Sequence, residues 1–144
     1  MSIEKVINKS FDTLEDKIDN ILQSSIKFDK QSLYFLTDEQ KEYVYNITIK
    51  NRKLIDKEMK DTNKIKPTFC EHISQKMSSD LNILNINHSI AYGSFDENPH
   101  VWIEFEDGEL ILDITADQFG DFPKIWFPAD NEHYSTWETQ LIEY

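Results

Sequence analysis

The chain is short of several things. One cysteine, Cys70, stands among 144 residues, so no internal disulfide can form. Three glycines and four prolines are too few for a flexible linker or low-complexity tract to divide it. No apolar run approaches the ~20 residues of a membrane helix, and the start, "MSIEKVINKS", lacks the apolar core of a secretory signal. Positive charge is scarce: 15 Lys and Arg against 27 Asp and Glu leave a net charge of −12. Such a surface repels nucleic acid and anionic lipid, so neither is expected as a partner. No internal repeat is visible. These absences point to a soluble protein made in a cytoplasm, with a delivery route to another cell that needs no cleaved signal left open.

Hydrophobic residues make up 39% and charged residues 29%, enough for one domain, 1–144, with a real core. Residues 3–25 predict a helix, since Ile7, Phe11, Leu14, Ile18 and Ile21 step by four and three onto one stripe. "QSLYFL" reads as a short apolar connection. In "TDEQ", Thr37 can cap a helix while Gln40 reaches back to it. That second helix is expected from Asp38 to about Lys60, burying Val44, Ile47, Leu54 and Ile55. "KDTNKIKP" reads as a loop. A third helix follows from Pro67 or Thr68, with Phe69, Ile73, Met77, Leu81 and Leu84 at helical spacing and Cys70 in its first turn. Then come short strands: "SIAYGSF", a turn at "DENP", the two arms of "HVWIEFEDGELILDIT", and "KIWF". The tail "HYSTWETQLIEY" is too short to assign. Helices followed by an antiparallel meander make the fold α+β, with a helical layer over 1–62 and the Cys-bearing helix packed on the sheet.

The hairpin can be read at the level of side chains. An Asp107-Gly108 turn sets Trp102 opposite Asp113 and puts Val101, Ile103 and Phe105 on one apolar face with Leu110, Leu112 and Ile114. The other face carries His100, Trp102 and Glu104 beside Ile111, Asp113 and Thr115. His100 is then the diagonal neighbour of Asp113, within reach of two polar side chains. A turn longer by one residue would destroy that parity. Read alone, the polar face is equally that of a solvated strand, with Glu104 in water.

Cys70 adds a partner. A thiolate in the first turn of a helix is favoured by the helix dipole and free N–H groups. A nearby imidazole can shuttle its proton, and an acid behind the imidazole fixes the ring's orientation. Cys70, then His100 in "HVWIEF", then Asp113 in "LILDIT", resembles the transglutaminase-like branch of the papain-fold superfamily over residues 66–120. That group includes transglutaminases, arylamine N-acetyltransferases, small bacterial thiol proteases, and glutamine deamidases delivered as toxins or effectors. "DITADQFG" is also similar to the segment after the Asp strand in bacterial members.

The resemblance implies a cysteine hydrolase or transferase with a Cys70–His100–Asp113 triad acting on the amide bonds of a protein or peptide, without metal or organic cofactor. Glutamine deamidation or proteolysis is the expected outcome. Papain-type enzymes often place a Gln upstream of the Cys to stabilise the oxyanion, and "TNKIKPTF" contains none. Asn63, Gln118 or another segment could supply that donor beside the N–H of Cys70. Trp102 could be core, wall a substrate channel, or do both.

Other histidines offer less. "CEH" invites a metal reading of His72 with His88 or His133, but one thiol without paired, short-spaced ligands is not a zinc pattern. His72 is expected at the surface and His88 in a loop. The rival to an enzyme is a non-enzymatic acidic interaction module (an immunity, adaptor or inhibitor protein), in which Cys70 would be a small buried residue.

Overall fold

The computed structural model describes residues 25–62 and 69–142, and the helix expected over 3–25 lies outside them. Strand β1 (Ile26–Phe28) leads through a 3-10 turn at Lys30–Ser32 to helix α1 (Asp38–Thr62). Helix α2 (Phe69–Ile83) follows, then strands β2 (His88–Phe95), β3 (Asn98–Phe105) and β4 (Leu110–Leu112). Strand β5 (Ile125–Phe127) and strand β6 (Tyr134–Ile142) complete the described chain. Helix α2 packs on the antiparallel sheet, an α+β arrangement.

Helix α1 begins as "TDEQ" requires. Thr37 N–H donates to Gln40 Oε1 at 3.0 Å, and Gln40 N–H to Thr37 Oγ1 at 3.1 Å. Asp38 and Glu39 complement the positive end of its dipole. Val44, Ile47 and Ile55 are buried, but Leu54 is 41% exposed. The buried stripe passes instead through Thr48, Asn51 and Arg52. Leu54 sits about 100° around the helix from Ile55, and polar residues with local partners occupy the inward positions. Thr48 Oγ1 donates to Val44 O at 2.6 Å and Asn51 Nδ2 to Ile47 O at 2.8 Å.

Helix α2 buries Cys70, Ile73, Met77 and Leu81. It stops at Asn85, whose φ of 54° places it in the left-handed region. Ile86 N–H then donates to Leu81 O and Asn85 N–H to Asn82 O, the paired bonds of a Schellman cap. Leu84 therefore falls in the cap, 37% exposed, rather than on the buried stripe.

The four-stranded sheet runs β4-β3-β2-β6, all antiparallel. The last strand thus returns to the free edge of β2. A separate parallel pair joins β1 to β5. The sequence reading has β5 at "KIWF" but assigns neither β1 nor β6.

The opening hairpin keeps its expected register: Phe105 pairs with Leu110, Glu104 with Ile111, and Ile103 with Leu112. Asp107 and Gly108 form the turn at φ of 56° and 89°, closed by Glu109 N–H donating to Glu106 O at 3.1 Å. The ladder then ends earlier than the alternation implies. Asp113 leaves β3 and exchanges backbone hydrogen bonds with Trp126 of β5, so Trp102 has no partner at Asp113.

Both faces of the hairpin are buried. Val101, Ile103, Phe105, Leu112 and Ile114 join one core with α1 and α2. Trp102 and Ile111 join a second with Phe95, Ala116, Trp126 and Ala129. Residues 116–129 fold back over the polar-looking face and exclude water from it. Glu104, expected in solvent, is 6% exposed and accepts a hydrogen bond from Trp102 Nε1 at 3.0 Å. Among the described residues no helix is long and apolar enough to cross a membrane.

Candidate active site

His100 is set by β3, where it pairs across to Gly93 of β2. Asp113 stands one residue past β4, fixed by its backbone exchange with Trp126. The diagonal relation expected from the turn is realised: His100 Nε2 and Asp113 Oδ2 are 2.7 Å apart, both side chains nearly inaccessible.

Asp113 carries three further hydrogen bonds. Thr115 N–H donates to Oδ1 at 2.9 Å and Thr115 Oγ1 to the same oxygen at 3.4 Å. Tyr134, at the start of β6, donates its hydroxyl to Oδ2 at 2.7 Å. Burial alone would raise the carboxyl's pKa. The charge and hydrogen bond of His100, with Thr115 and Tyr134, outweigh it and hold Asp113 below the ordinary carboxylate value.

His100 responds in kind. Burial opposes its charge, but the charge and hydrogen bond of Asp113 prevail, helped by a hydrogen bond to Cys70 and by Cys70's charge. The imidazole is pushed up to about 9. The phenol of Tyr134 is also raised, by burial first and then by the charge of Asp113. A buried, protonated His100 against an ionised Asp113 is the resulting state near neutral pH.

Cys70 lies in the first turn of α2, 4% exposed. Since Asp113 occupies Nε2, the nitrogen left to face the thiol is Nδ1. Gln118, in the 3-10 turn Ala116–Phe119, brings its amide nitrogen to 3.4 Å from Nδ1 and donates to Thr115 Oγ1 at 3.2 Å. Gln118 thus places an amide N–H next to the imidazole that touches Cys70.

Cys70, His100, Asp113 and Gln118 are therefore brought together. Asn63 lies outside the described residues. Trp102 is 1% exposed, its ring 5.7 Å from that of His100, so it packs the back of the imidazole instead of lining an open channel. Phe119 meets His100 edge-on at 4.8 Å.

His72 is exposed, as expected. His88 is not a loop residue: it opens β2, 3% exposed, with Nε2 2.6 Å from Ser78 Oγ and Nδ1 2.8 Å from Ile86 O. Burial lowers its pKa and keeps it neutral. No group of three or more His, Cys, Asp or Glu among the described residues could hold a metal ion.

Sequence reading misses two residues. Tyr134 belongs to a strand with no clean signal. Arg52, a charged residue in α1 that no motif marks, is fully buried, its guanidinium on Asp117, Asp56 and the carbonyl of Ile114.

Comparison with family models, with curated proteins and with solved structures finds no match for the chain.

Proposed function

We propose that the protein is a cysteine-dependent acyl-transfer enzyme acting on amide bonds, a glutamine deamidase or thiol protease of the transglutaminase-like kind. The observation that carries this reading is the buried His100–Asp113 pair at 2.7 Å with Cys70 adding to the charge balance of the same imidazole. The sulfur of Cys70 attacks the carbonyl carbon, and the carbonyl oxygen takes the negative charge. Gln118 and the N–H groups at the start of α2 are the donors that support this oxyanion. As the C–N bond breaks, His100 hands its proton to the departing ammonia or amine, leaving a thioester. Water then attacks the thioester and gives a proton back to His100. The acid product leaves, the C–S bond breaks, and Cys70 and His100 return to the state in which they began, with the proton on His100. Asp113 holds the ring in place throughout. The single thiol suits the reducing interior of a cell, whether the one that makes the protein or one that receives it.

Burial of Cys70, at 4% exposed, favours one competing reading: a non-enzymatic acidic interaction module whose thiol is core. Reactivity separates the two. In the enzyme, iodoacetamide alkylates Cys70 within minutes near neutral pH, and His100→Ala slows the reaction at least tenfold. A thiol that resists alkylation in the folded protein, or reacts equally with and without His100, overturns the enzyme reading. Mass spectrometry of co-expressed proteins then assigns the outcome: +1 Da on a Gln for deamidation, a cut chain for proteolysis.

A further inference from the structure

Arg52 is wholly buried in α1, and its partners come from its own helix and from the chain between β4 and β5. Asp117 takes both arms of the fork, at 2.7 Å from Nη1 and 2.9 Å from Nη2. Asp56, one turn along the helix, accepts from Nε at 3.0 Å. Nη1 also donates to Ile114 O at 2.8 Å, with Lys124 O at 3.4 Å.

The contact with Ile114 O matters most. The peptide group that carries this carbonyl also carries the N–H of Thr115. That N–H donates to Asp113 Oδ1 at 2.9 Å. One peptide unit thus has its oxygen on the guanidinium and its hydrogen on the site's carboxylate. A cation at the oxygen withdraws electron density from the amide and strengthens the N–H as a donor. The segment needs such an anchor. Strand β4 ends at Leu112, and among the described residues Thr115 itself pairs with no neighbouring strand. Beyond Asp113's exchange with Trp126, the chain carrying Thr115 and Gln118 is tied to α1 by Arg52.

We propose that Arg52 is a positioning residue: clamped by Asp117, it fixes and polarises the Ile114–Thr115 peptide, which holds the Asp113 carboxylate square to His100. The inference rests on the enzyme reading for its purpose, but its physical content is the state of the His100–Asp113 pair. The charges alternate along the chain of contacts, from Asp117 to Arg52, through the peptide to Asp113, and on to His100. Arg is suited to this in a way Lys is not, because the planar fork serves two acceptors at once while a single ammonium must choose.

The test uses Asp117→Asn, a near-isosteric change at a partly exposed residue, and Arg52→Lys as the conservative replacement. His100 is titrated by NMR of its ring nitrogens in each full-length variant, with thermal unfolding run alongside. Both variants are expected to bring the His100 midpoint down by about one pH unit or more, because the Thr115 N–H on Oδ1 orients the carboxylate without competing for Oδ2, the oxygen that His100 holds, and that orientation is lost. If Asp117→Asn folds and loses thermal stability but leaves the His100 midpoint at the wild-type value, the clamp is merely structural and the proposal is overturned. Should Arg52→Lys fail to fold, Asp117→Asn alone decides. The outcome is independent of the enzyme reading, which is judged by whether His100→Ala slows alkylation of Cys70 in the otherwise wild-type chain.

Discussion

Asp113→Asn preserves shape and removes one charge from the centre of the site. Its consequence follows from the imidazole it faces. An unfolded-chain histidine titrates near 6.5, whereas His100 is raised to about 9. Between those values the folded chain holds one more proton than the unfolded chain. Stability from this pair is therefore fully present below 6.5 and is lost as pH rises through 9. At about 1.4 kcal/mol per pH unit, the loss across the window is about 3 kcal/mol. Asp113 acts with the opposite sense: its depressed pKa contributes stability above the ordinary carboxylate range, lost on acidification. In Asp113→Asn, burial remains the largest influence on His100, and the charge that opposed it most is gone. The imidazole then titrates far lower, and the fall in stability between pH 6.5 and 9 largely disappears. Urea unfolding of both proteins at half-unit steps from pH 6 to 9.5 gives the two slopes. Equal slopes, or a wild-type His100 midpoint at or below 6.5 by NMR, would refute the charge pairing on which the site is built.

Two more predictions bear on what surrounds this pair. Tyr134→Phe removes a 2.7 Å donor from Asp113 Oδ2, costing about 1.5–3 kcal/mol in urea unfolding as a hydrogen bond to a charged group. Because Asp113 is then more available to His100, the His100 midpoint moves up, and a downward shift would contradict the shared-oxygen geometry. Gly93→Ala places a Cβ 2.0 Å from Ser135 O and 2.7 Å from the Trp102 ring, so β6 must move. A loss of about 3 kcal/mol, at the upper end of overpacking effects, is expected by thermal unfolding, and a variant as stable as wild type would show that β6 does not seat there.

The fold was legible where one element had one job. The capping box at the start of α1 and the hairpin register follow from short-range chemistry, and each side chain involved acts within a few residues of its own position. Strand β6 was not legible because its alternation is broken. Tyr92 pairs with Glu138 and Gly93 with Thr136, so Trp137 is an extra residue in the ladder. A bulge shifts the side-chain parity halfway along the strand, and no single period-two pattern describes the whole. Strand β1 is three residues long, too short for any period to register. Leu54 is expected inward because that expectation follows residue type, whereas the helix turns by its own geometry and brings Arg52 inward instead.

That last reversal explains why the site was half visible. His100 and Asp113 are joined by a rule that depends only on turn parity, so the sequence alone placed them together. What makes the pair buried and charged comes from distant segments: Tyr134 from the far edge of the sheet, and Arg52 from a helix more than sixty positions before Asp113 along the chain. Burying a carboxylate and an imidazolium side by side is unfavourable unless their remaining lone pairs and protons are also satisfied. Oδ1 needs Thr115, and the Thr115 peptide needs an acceptor's partner at its carbonyl, which is Arg52. Arg52 in turn needs Asp117. Each buried polar group requires the next, and the chain of requirements ends only at the partly exposed carboxylates of Asp117 and Asp56. A charged side chain on the inward stripe of α1, Arg52, is therefore what lets the site keep an ion pair out of water.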